Sequence, residues 1–256
     1  MRQQRVRGVS FKEEYIYAMR RRSRFEAHTL GAKTERTLLA PKDSTLADRI
    51  TVVLDLDETL VYAREGPLYV RPGIEELLQF LEENCETVVW TAGMRQYAEA
   101  VVRLIDTNGS VHHTIARDST WFRGRSCRKD LTLLGRDTET TIVFENTPDC
   151  IRGFEQNGVL VADYEGGELE DHTLYTILGL LKDLVRRRNE EHITVPEYIR
   201  SSNLLNLRVV PTDGGDEMSC YCLNAYWPEL EMTITKSLKC RKFLCCIGDR
   251  RNIAVH

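Results

Sequence analysis

The chain has 256 residues, of which 42% are hydrophobic, and a formal net charge of −4. This length suits one α/β domain with a sizeable core and additional segments at its ends. The bulk charge indicates neither nucleic-acid binding nor membrane binding, and no apolar run approaches the roughly 20 residues of a membrane-spanning helix. No segment near the start resembles the apolar centre of a secretory signal peptide.

Residues 1–47 form the first predicted segment, a polar and basic extension. Its first 24 residues contain eight Lys or Arg and two acidic residues, Glu13 and Glu14. Two interpretations stay open, a solvated basic arm and part of a mitochondrial transit peptide, which is typically rich in Arg. The two glutamates count against the transit peptide because such peptides are poor in acidic residues.

From Ile50 onward, apolar runs alternate with amphipathic stretches. The β-branched run at 50–54 predicts a buried parallel strand, and further strands are predicted at 87–91, 141–144 and 159–161. Helices are predicted to begin near Pro72 and to cover 96–105 and 173–188. Strands that alternate with helices predict an α/β fold, with a parallel sheet that has helices on both faces. Such sheets bind their ligands at the carboxyl ends of the strands.

The predicted α/β domain covers residues 48–207, and a Cys-rich extension of unknown order follows at 208–256. Five of the eight cysteines lie after residue 219. Cys220-x-Cys222 and Cys245-Cys246 could be half-sites for zinc, but their spacing fits no zinc pattern and no well-placed His completes one. In the absence of a signal peptide, free thiols are the expected state.

Two aspartates directly follow the first predicted strand. Asp55 and Asp57 lie two residues apart at the strand's exit, so their carboxylates can face one point. Because the two carboxylates repel each other, keeping both ionised requires a cation, and Mg²⁺ suits oxygen ligands. Paired aspartates in different environments can also divide the roles of nucleophile and acid/base. Taken alone, two aspartates at this spacing are as typical of a solvated turn or an unrelated metal site as of a catalytic pair.

Three more polar features lie at or near strand exits. Thr91 follows the second strand and could hold phosphate oxygens, whereas Glu145-Asn146 follows the third and could complete a metal site. Lys129 precedes the third strand and could neutralise phosphate charge. Each also has an ordinary interpretation, as a helix cap, a turn and a surface cation respectively. Together with the two aspartates, the ordered series is far more specific than any of its members.

Motifs in this order are similar to those of the haloacid dehalogenase (HAD) superfamily. The matching stretches are Asp55-Leu56-Asp57-Glu58-Thr59-Leu60-Val61, Arg71-Pro72-Gly73, Trp90-Thr91-Ala92-Gly93, Lys129-Asp130-Leu131 with Leu134-Gly135-Arg136-Asp137, and Asn146-Thr147-Pro148. More narrowly, they resemble the branch of the RNA polymerase II C-terminal-domain phosphatases and the NLI-interacting-factor-like phosphatases. The resemblance covers roughly residues 48 to 205. It implies a HAD-like (Rossmannoid) fold with a small insert instead of a large cap.

The resemblance also implies a role for each site residue. Asp55 would attack phosphorus and form an aspartyl-phosphate, and Asp57 would protonate the leaving oxygen and then activate water. Mg²⁺ would be held by the Asp55 carboxylate, the Asp57 backbone carbonyl and the Asn146 side-chain oxygen. Three residues would contact the phosphoryl group or the substrate: Thr91, Lys129 and Arg117.

One residue departs from the family pattern. The family usually has Asp before the Asn of the last motif, whereas this chain has Glu145. The longer side chain carries its carboxylate one methylene further out. We expect altered metal geometry or affinity rather than an inactive site.

The function that this resemblance favours is a Mg²⁺-dependent phosphoprotein phosphatase acting on phosphoserine or phosphothreonine. An open site suits an extended protein segment, and the RNA polymerase II tail is one candidate partner; no direct nucleic-acid partner is expected. Trp121 and Phe122 lie in the small insert, where they could pack against a substrate proline or form the insert's own core. The expected location is nuclear or cytoplasmic, with the mitochondrion as the alternative.

Two other functions remain open. One is an interaction module resembling the phosphatase-like subunit of the mitochondrial inner-membrane translocase. The retained Asp55, Asp57, Thr91, Lys129 and Asn146 count against it. The other is a small-molecule phosphatase of the wider superfamily, against which the missing long cap counts.

Overall fold

The structure is a computed structural model that describes residues 37–64, 67–123 and 126–223. Most of the predicted basic extension lies outside the described residues, as does the part of the Cys-rich extension after Leu223. The candidate zinc half-site Cys245-Cys246 is in that last part. Within the described ranges, no helix is both long and apolar enough to cross a membrane.

A seven-stranded sheet forms the centre of the fold. The described residues form nine strands: β1 (Ile50–Leu54), β2 (Val61–Tyr62), β3 (Tyr69–Val70), β4 (Cys85–Trp90), β5 (His113–Ile115), β6 (Thr141–Glu145), β7 (Gly158–Leu160), β8 (Leu205–Pro211) and β9 (Glu217–Leu223). Seven of them lie side by side in the order β5-β4-β1-β6-β7-β9-β8. All neighbours in this sheet are parallel except β8 and β9. Strands β2 and β3 form a separate antiparallel ribbon.

Four α-helices accompany the sheet: α1 (Ile74–Asn84), α2 (Arg95–Ile105), α3 (Thr173–Glu191) and α4 (Val195–Ser201). The first three correspond to predicted helices. Helix α1 begins two residues after Pro72 because Gly73 has a left-handed backbone, with φ of +89°, that a helix cannot contain. Helix α4 was not predicted; Thr194 and Glu197 cap its start by bonding each other's backbone amides.

Both faces of the sheet are buried. Val52 and Leu54 of β1 pack in one core and Val53 packs in a second, because alternate side chains of a strand point to opposite faces. All four α-helices contribute to the first core. Short 3₁₀ helices at Leu131–Leu133 and Pro148–Ile151 cover the second. The predicted α/β fold, with a parallel sheet between two covering layers, is therefore confirmed.

The sheet extends past the predicted boundary at residue 207. That position falls inside β8, and β9 pairs in parallel with β7. Cys220 and Cys222 occupy alternate positions of β9 and are fully buried in the second core, where they pack as small apolar residues. Strand β8 lies at the edge of the sheet, where Leu207 and Val209 are exposed.

Candidate active site

The candidate site lies at the carboxyl ends of β4, β1 and β6, which are adjacent in the sheet. Asp55 follows β1, Thr91 follows β4, and Asn146 follows β6. The Asp55 amide donates a 3.0 Å hydrogen bond to the Phe144 carbonyl, so it continues the pairing of β1 with β6. The parallel register therefore brings the predicted residues to one edge of the sheet, as expected.

A buried lysine lies between two carboxylates. The ammonium nitrogen of Lys129 is 2.8 Å from Oδ1 of Asp55 and also pairs with Oε2 of Glu145. The backbone of Lys129 is held by a 2.7 Å hydrogen bond from its amide to the Cys150 carbonyl. Burial alone would lower the pKa of Lys129, but the charges of Asp55 and Glu145 raise it, so the ammonium stays protonated. The site thus holds a fixed positive charge against the Asp55 carboxylate.

Glu145 turns back toward the protein interior. Its Oε1 accepts hydrogen bonds of 3.1 and 3.0 Å from the amides of Asn146 and Thr147, while Oε2 faces Lys129. Burial and the neighbouring Asp55 charge raise the pKa of Glu145 to about 7, against the opposing effect of Lys129. The longer side chain therefore anchors the turn that carries Asn146. Its predicted effect on a bound metal stays a prediction.

The Asp57 carboxylate is held by two hydroxyl groups. Tyr97 donates a 2.5 Å hydrogen bond to Oδ1, and Thr91 donates a 3.1 Å hydrogen bond to Oδ2. Burial raises the pKa of Asp57 more than the Tyr97 hydrogen bond lowers it, and the Asp55 charge raises it further. Asp57 therefore keeps a proton more readily than an exposed carboxyl group does, whereas Asp55 contacts the Lys129 ammonium. This asymmetry is what a nucleophile and an acid/base require of two neighbouring carboxylates.

A glycine lets the Thr91 turn approach these groups closely. The Gly93 amide donates a 2.8 Å hydrogen bond to Oγ1 of Thr91. A Cβ atom added at Gly93 would lie 3.1 Å from that oxygen and 3.4 Å from Oδ2 of Asp57. A side chain at this position would crowd the space beside both groups.

The oxygen donors at this edge suit a hard cation. The Asp57–Val61 bridge uses the Leu56 carbonyl and the Glu58 amide, which leaves the Asp57 carbonyl outside that ladder. The Asn146 amide nitrogen donates a 3.1 Å hydrogen bond to Asp163. The amide oxygen of Asn146 accepts a 3.5 Å hydrogen bond from the Thr59 hydroxyl. One carboxylate, one backbone carbonyl and one amide oxygen fit Mg²⁺, which is usually bound by few protein ligands and several waters. In the part of the chain that the structure describes, no three His, Cys, Asp or Glu side chains group as metal ligands.

Arg117 lies against the Thr91 turn. Its Nε donates a 2.6 Å hydrogen bond to the Ala92 carbonyl, and its amide donates one of 2.9 Å to the Gly93 carbonyl. The guanidinium lies 4.5 Å from the ring centroid of Phe122. Arg117 is therefore beside the site and half-buried, where the sequence predicted a substrate-contacting arginine.

Trp121 belongs to the second core. It is buried, its ring contacts Trp90 edge-on at 5.4 Å, and its Nε1 donates a 2.9 Å hydrogen bond to the Ala116 carbonyl. This contact pattern supports the interpretation that Trp121 packs inside the insert rather than against a substrate.

Residues 50–193 match the model of the NLI interacting factor-like phosphatase family. The chain belongs to this family. The resemblance inferred from the ordered motifs is confirmed at that level. One similar protein is a probable C-terminal domain small phosphatase of Dictyostelium discoideum. It is 32% identical over 53% of this chain and 51% of that protein.

Two further relatives place the same region in longer proteins. Phosphatase PSR1 of Saccharomyces cerevisiae is 29% identical over 58% of this chain and 39% of its own length. The human carboxy-terminal domain RNA polymerase II polypeptide A small phosphatase 1 is 32% identical over 55% of this chain and 61% of its own length. The chain thus matches between 39% and 61% of these three relatives. Among solved structures, Fcp1, described as an essential RNA polymerase II CTD phosphatase, is 21% identical, with a TM-score of 0.40 over 62% of this chain and 56% of that one.

Two residues of this NLI interacting factor-like domain had no role in the sequence prediction. Tyr97 lies in the first turn of α2, directly above the Thr91 turn, and contacts Asp57. The sequence could have indicated Tyr97, because a helix that follows a strand exit presents the side chains of its first turn to the same edge of the sheet.

Arg71 is the second such residue, and its side chain is fully buried beneath the site. It forms a two-point ion pair with Asp171 at 3.0 and 2.8 Å. It also donates hydrogen bonds of 3.0 Å to the carbonyls of Thr59 and Ala162. Arg71 thereby ties together the loop after β1, the loop after β7 and the start of α3, which explains why an arginine occupies this motif.

Proposed function

We propose that this chain is a Mg²⁺-dependent phosphatase that removes phosphate from serine or threonine in protein segments, with Asp55 as its nucleophile. The observation that carries the proposal is the asymmetry of the two aspartates. Asp55 contacts the Lys129 ammonium at 2.8 Å, whereas Asp57 is held by neutral hydroxyl donors of Thr91 and Tyr97. Family membership supports the phosphatase activity, and this geometry supports the proposed roles of the two aspartates.

In the first step, a carboxylate oxygen of Asp55 forms a bond to phosphorus as the bond to the substrate oxygen breaks. Protonated Asp57 donates its proton to that leaving oxygen, so the alcohol departs neutral. The Lys129 ammonium and the Thr91 hydroxyl bind the phosphoryl oxygens and stabilise their negative charge. Asp55, the Asp57 carbonyl and Asn146 would hold Mg²⁺, which supplies positive charge at the transferring phosphoryl group.

In the second step, the Asp57 carboxylate accepts a proton from water, and the water oxygen attacks phosphorus. The bond between phosphorus and Asp55 breaks, which releases phosphate and restores the Asp55 carboxylate and protonated Asp57. Tyr97 keeps the Asp57 carboxylate in one orientation through both steps. The same group thus acts first as an acid and then as a base.

The proposed substrate is a phosphorylated segment in extended conformation. The described residues between the Asp55 loop and α1 form only the two-residue strands β2 and β3, and those from Asp106 to Lys129 contain no α-helix. An entrance of this kind admits a polypeptide, and Arg117 lies beside it to contact the chain. The relatives named for the RNA polymerase II C-terminal domain make that domain one candidate substrate, with a nuclear or cytoplasmic location.

The decisive experiment is hydrolysis of an aryl phosphate with and without Mg²⁺. We expect Mg²⁺-dependent turnover by the wild type and its loss in Asp55→Asn, which keeps the shape but not the charge of the nucleophile. Asp183→Asn, on the surface of α3, is the matched control and should keep full activity. Absence of turnover from folded wild-type protein under every metal condition would reject the enzyme in favour of a binding module.

A phosphopeptide panel then tests the substrate class. Peptides with phosphoserine or phosphothreonine should be dephosphorylated with a higher kcat/KM than free phosphate monoesters of metabolites. A preference for small phosphate esters would instead favour the small-molecule phosphatase.

A further inference from the structure

Two cysteines lie on the segments that support Lys129. Cys127 is two residues before Lys129, and Cys150 is on the segment that Lys129 contacts through the 2.7 Å hydrogen bond from its amide to the Cys150 carbonyl. Arg128 reinforces this pairing, because its guanidinium lies 5.8 Å from the ring centroid of Phe154. The stretch around Lys129 therefore runs against the stretch around Cys150.

The two cysteine side chains lie on these neighbouring segments. Both are free thiols, and Cys127 is close enough to Cys150 to influence the pKa of its thiol. Cys150 is only 6% exposed, whereas Cys127 is half-buried. The neighbouring Cys127 and burial both raise the pKa of Cys150, so that thiol stays protonated. A small oxidant therefore reaches Cys127 first, with a second thiol already beside it.

We propose that Cys127 and Cys150 form a reversible disulfide that switches the active site off by displacing Lys129. Hydrogen peroxide, the oxidant, transfers one oxygen to the Cys127 thiolate and gives a sulfenic acid and hydroxide, which takes up a proton. The Cys150 sulfur then attacks the Cys127 sulfur, the disulfide bond forms, and the hydroxyl group leaves with the Cys150 proton as water. Two thiols are oxidised and one peroxide is reduced to two waters.

Formation of the disulfide would displace Lys129, because the two sulfur atoms must move closer together. The sulfurs of two unbonded thiols lie more than about 3 Å apart, whereas disulfide sulfurs are about 2.05 Å apart. Closing that gap moves the segment of Cys127 relative to that of Cys150, and Lys129 lies on the moving segment. Its ammonium is 2.8 Å from Asp55, and a shift of about 1 Å in such a contact can cost roughly 100-fold in rate. We expect at least about a tenfold loss of activity in the oxidised protein.

The test uses the full chain with Cys240, Cys245 and Cys246 replaced by serine, which removes competing thiols. The protein is treated with graded hydrogen peroxide, alkylated, and digested with trypsin without reductant. A crosslink between Cys127 and Cys150 joins the tryptic peptides 126–128 and 137–152. We expect this species to increase with peroxide in parallel with the loss of aryl phosphatase activity, and dithiothreitol to reverse both.

Cys127→Ser is the informative variant, because its partner Cys150 is buried and a change there could disturb folding. Cys127→Ser should keep its basal activity and resist peroxide. Three results would each overturn the inference. They are an equal loss of activity in peroxide with and without Cys127, the absence of the crosslinked peptide, and full activity of the crosslinked protein. The activity measurement rests on the proposed function, but detection of the crosslinked peptide does not. Failure of the proposed function can therefore be distinguished from failure of the disulfide to form.

Discussion

The Tyr97 hydroxyl donates a 2.5 Å hydrogen bond to Oδ1 of Asp57, the carboxylate proposed for proton transfer. We predict that Tyr97→Phe lowers kcat of aryl phosphate hydrolysis by about 10- to 100-fold, because a hydrogen bond to a charged group contributes about 1.5–3 kcal/mol. The affinity for inorganic phosphate, measured as competitive inhibition, should change little because Asp55 and Lys129 remain in place. Tyr175→Phe is the matched control, since its hydroxyl contacts only the exposed Glu76. A Tyr97→Phe enzyme with wild-type kcat would contradict the positioning role.

The Glu145 carboxylate holds both Lys129 and the turn that carries Asn146. We predict that Glu145→Asp weakens these contacts, because the shorter side chain cannot reach both partners, and shifts the Mg²⁺ concentration that gives half-maximal activity. Titration of activity against Mg²⁺ measures the shift. Glu139→Asp, an exposed change before the opposite end of β6, should give the wild-type curve. Indistinguishable titration curves for wild type and Glu145→Asp would refute the link between this carboxylate and the metal site.

Arg71 contacts Asp171 at two points and two loop carbonyls from a fully buried position. We predict that Arg71→Lys lowers the free energy of unfolding by about 2 kcal/mol, because a lysine cannot form the paired contact and leaves buried acceptors unsatisfied. Urea denaturation monitored by Trp fluorescence measures the change. Arg187→Lys, in a partly exposed ion pair with Glu191, should change the free energy by no more than about 1 kcal/mol. Equal effects in the two variants would show that Arg71 does not tie the loops together.

Glu86 is buried at the opposite edge of the sheet from the candidate site, near the start of β4. Burial alone would raise the pKa of its carboxyl group, but hydrogen bonds from His113, Arg136 and Thr51 hold it far below its usual range. A pKa depressed by folding stabilises the protein above the unfolded-state pKa of about 4.3, and this contribution is lost as pH falls toward the folded-state value.

We therefore predict that the wild type loses stability between about pH 5 and pH 3 and that Glu86→Gln loses less over this range, from a lower starting stability near pH 7. Urea denaturation at each pH gives the two profiles. Glu82→Gln, an exposed change on α1, should follow the wild type. If the Glu86→Gln profile parallels that of the wild type, the buried cluster does not set the acid sensitivity.

Strand and helix positions were predictable because hydrophobic runs with local periodicity determine them. The predicted strand at 50–54 matches β1, and the predicted helix at 173–188 differs from α3 only in its end. Helix α4 and strand β8 were not predicted. Helix α4 has only seven residues, too few for a repeating apolar pattern. Strand β8 does alternate apolar and polar residues at its start, but it belongs to the sheet only through its pairing with β9, which the tertiary structure decides.

The sequence by itself determined the family and the α/β order of elements, and it predicted five polar residues at or near the exits of parallel strands: Asp55, Asp57, Thr91, Lys129 and Asn146. Four of them can be read from the chain because they closely follow a local apolar run, whereas Lys129 lies well before its strand and belongs to the series through the ordered motifs. Only the tertiary structure decided which groups touch Asp57, where the Glu145 carboxylate turns, and that Cys127 lies close to Cys150. These contacts join segments that are distant in sequence, and their partners depend on how helix α2 and the loops pack against the sheet rather than on any local pattern.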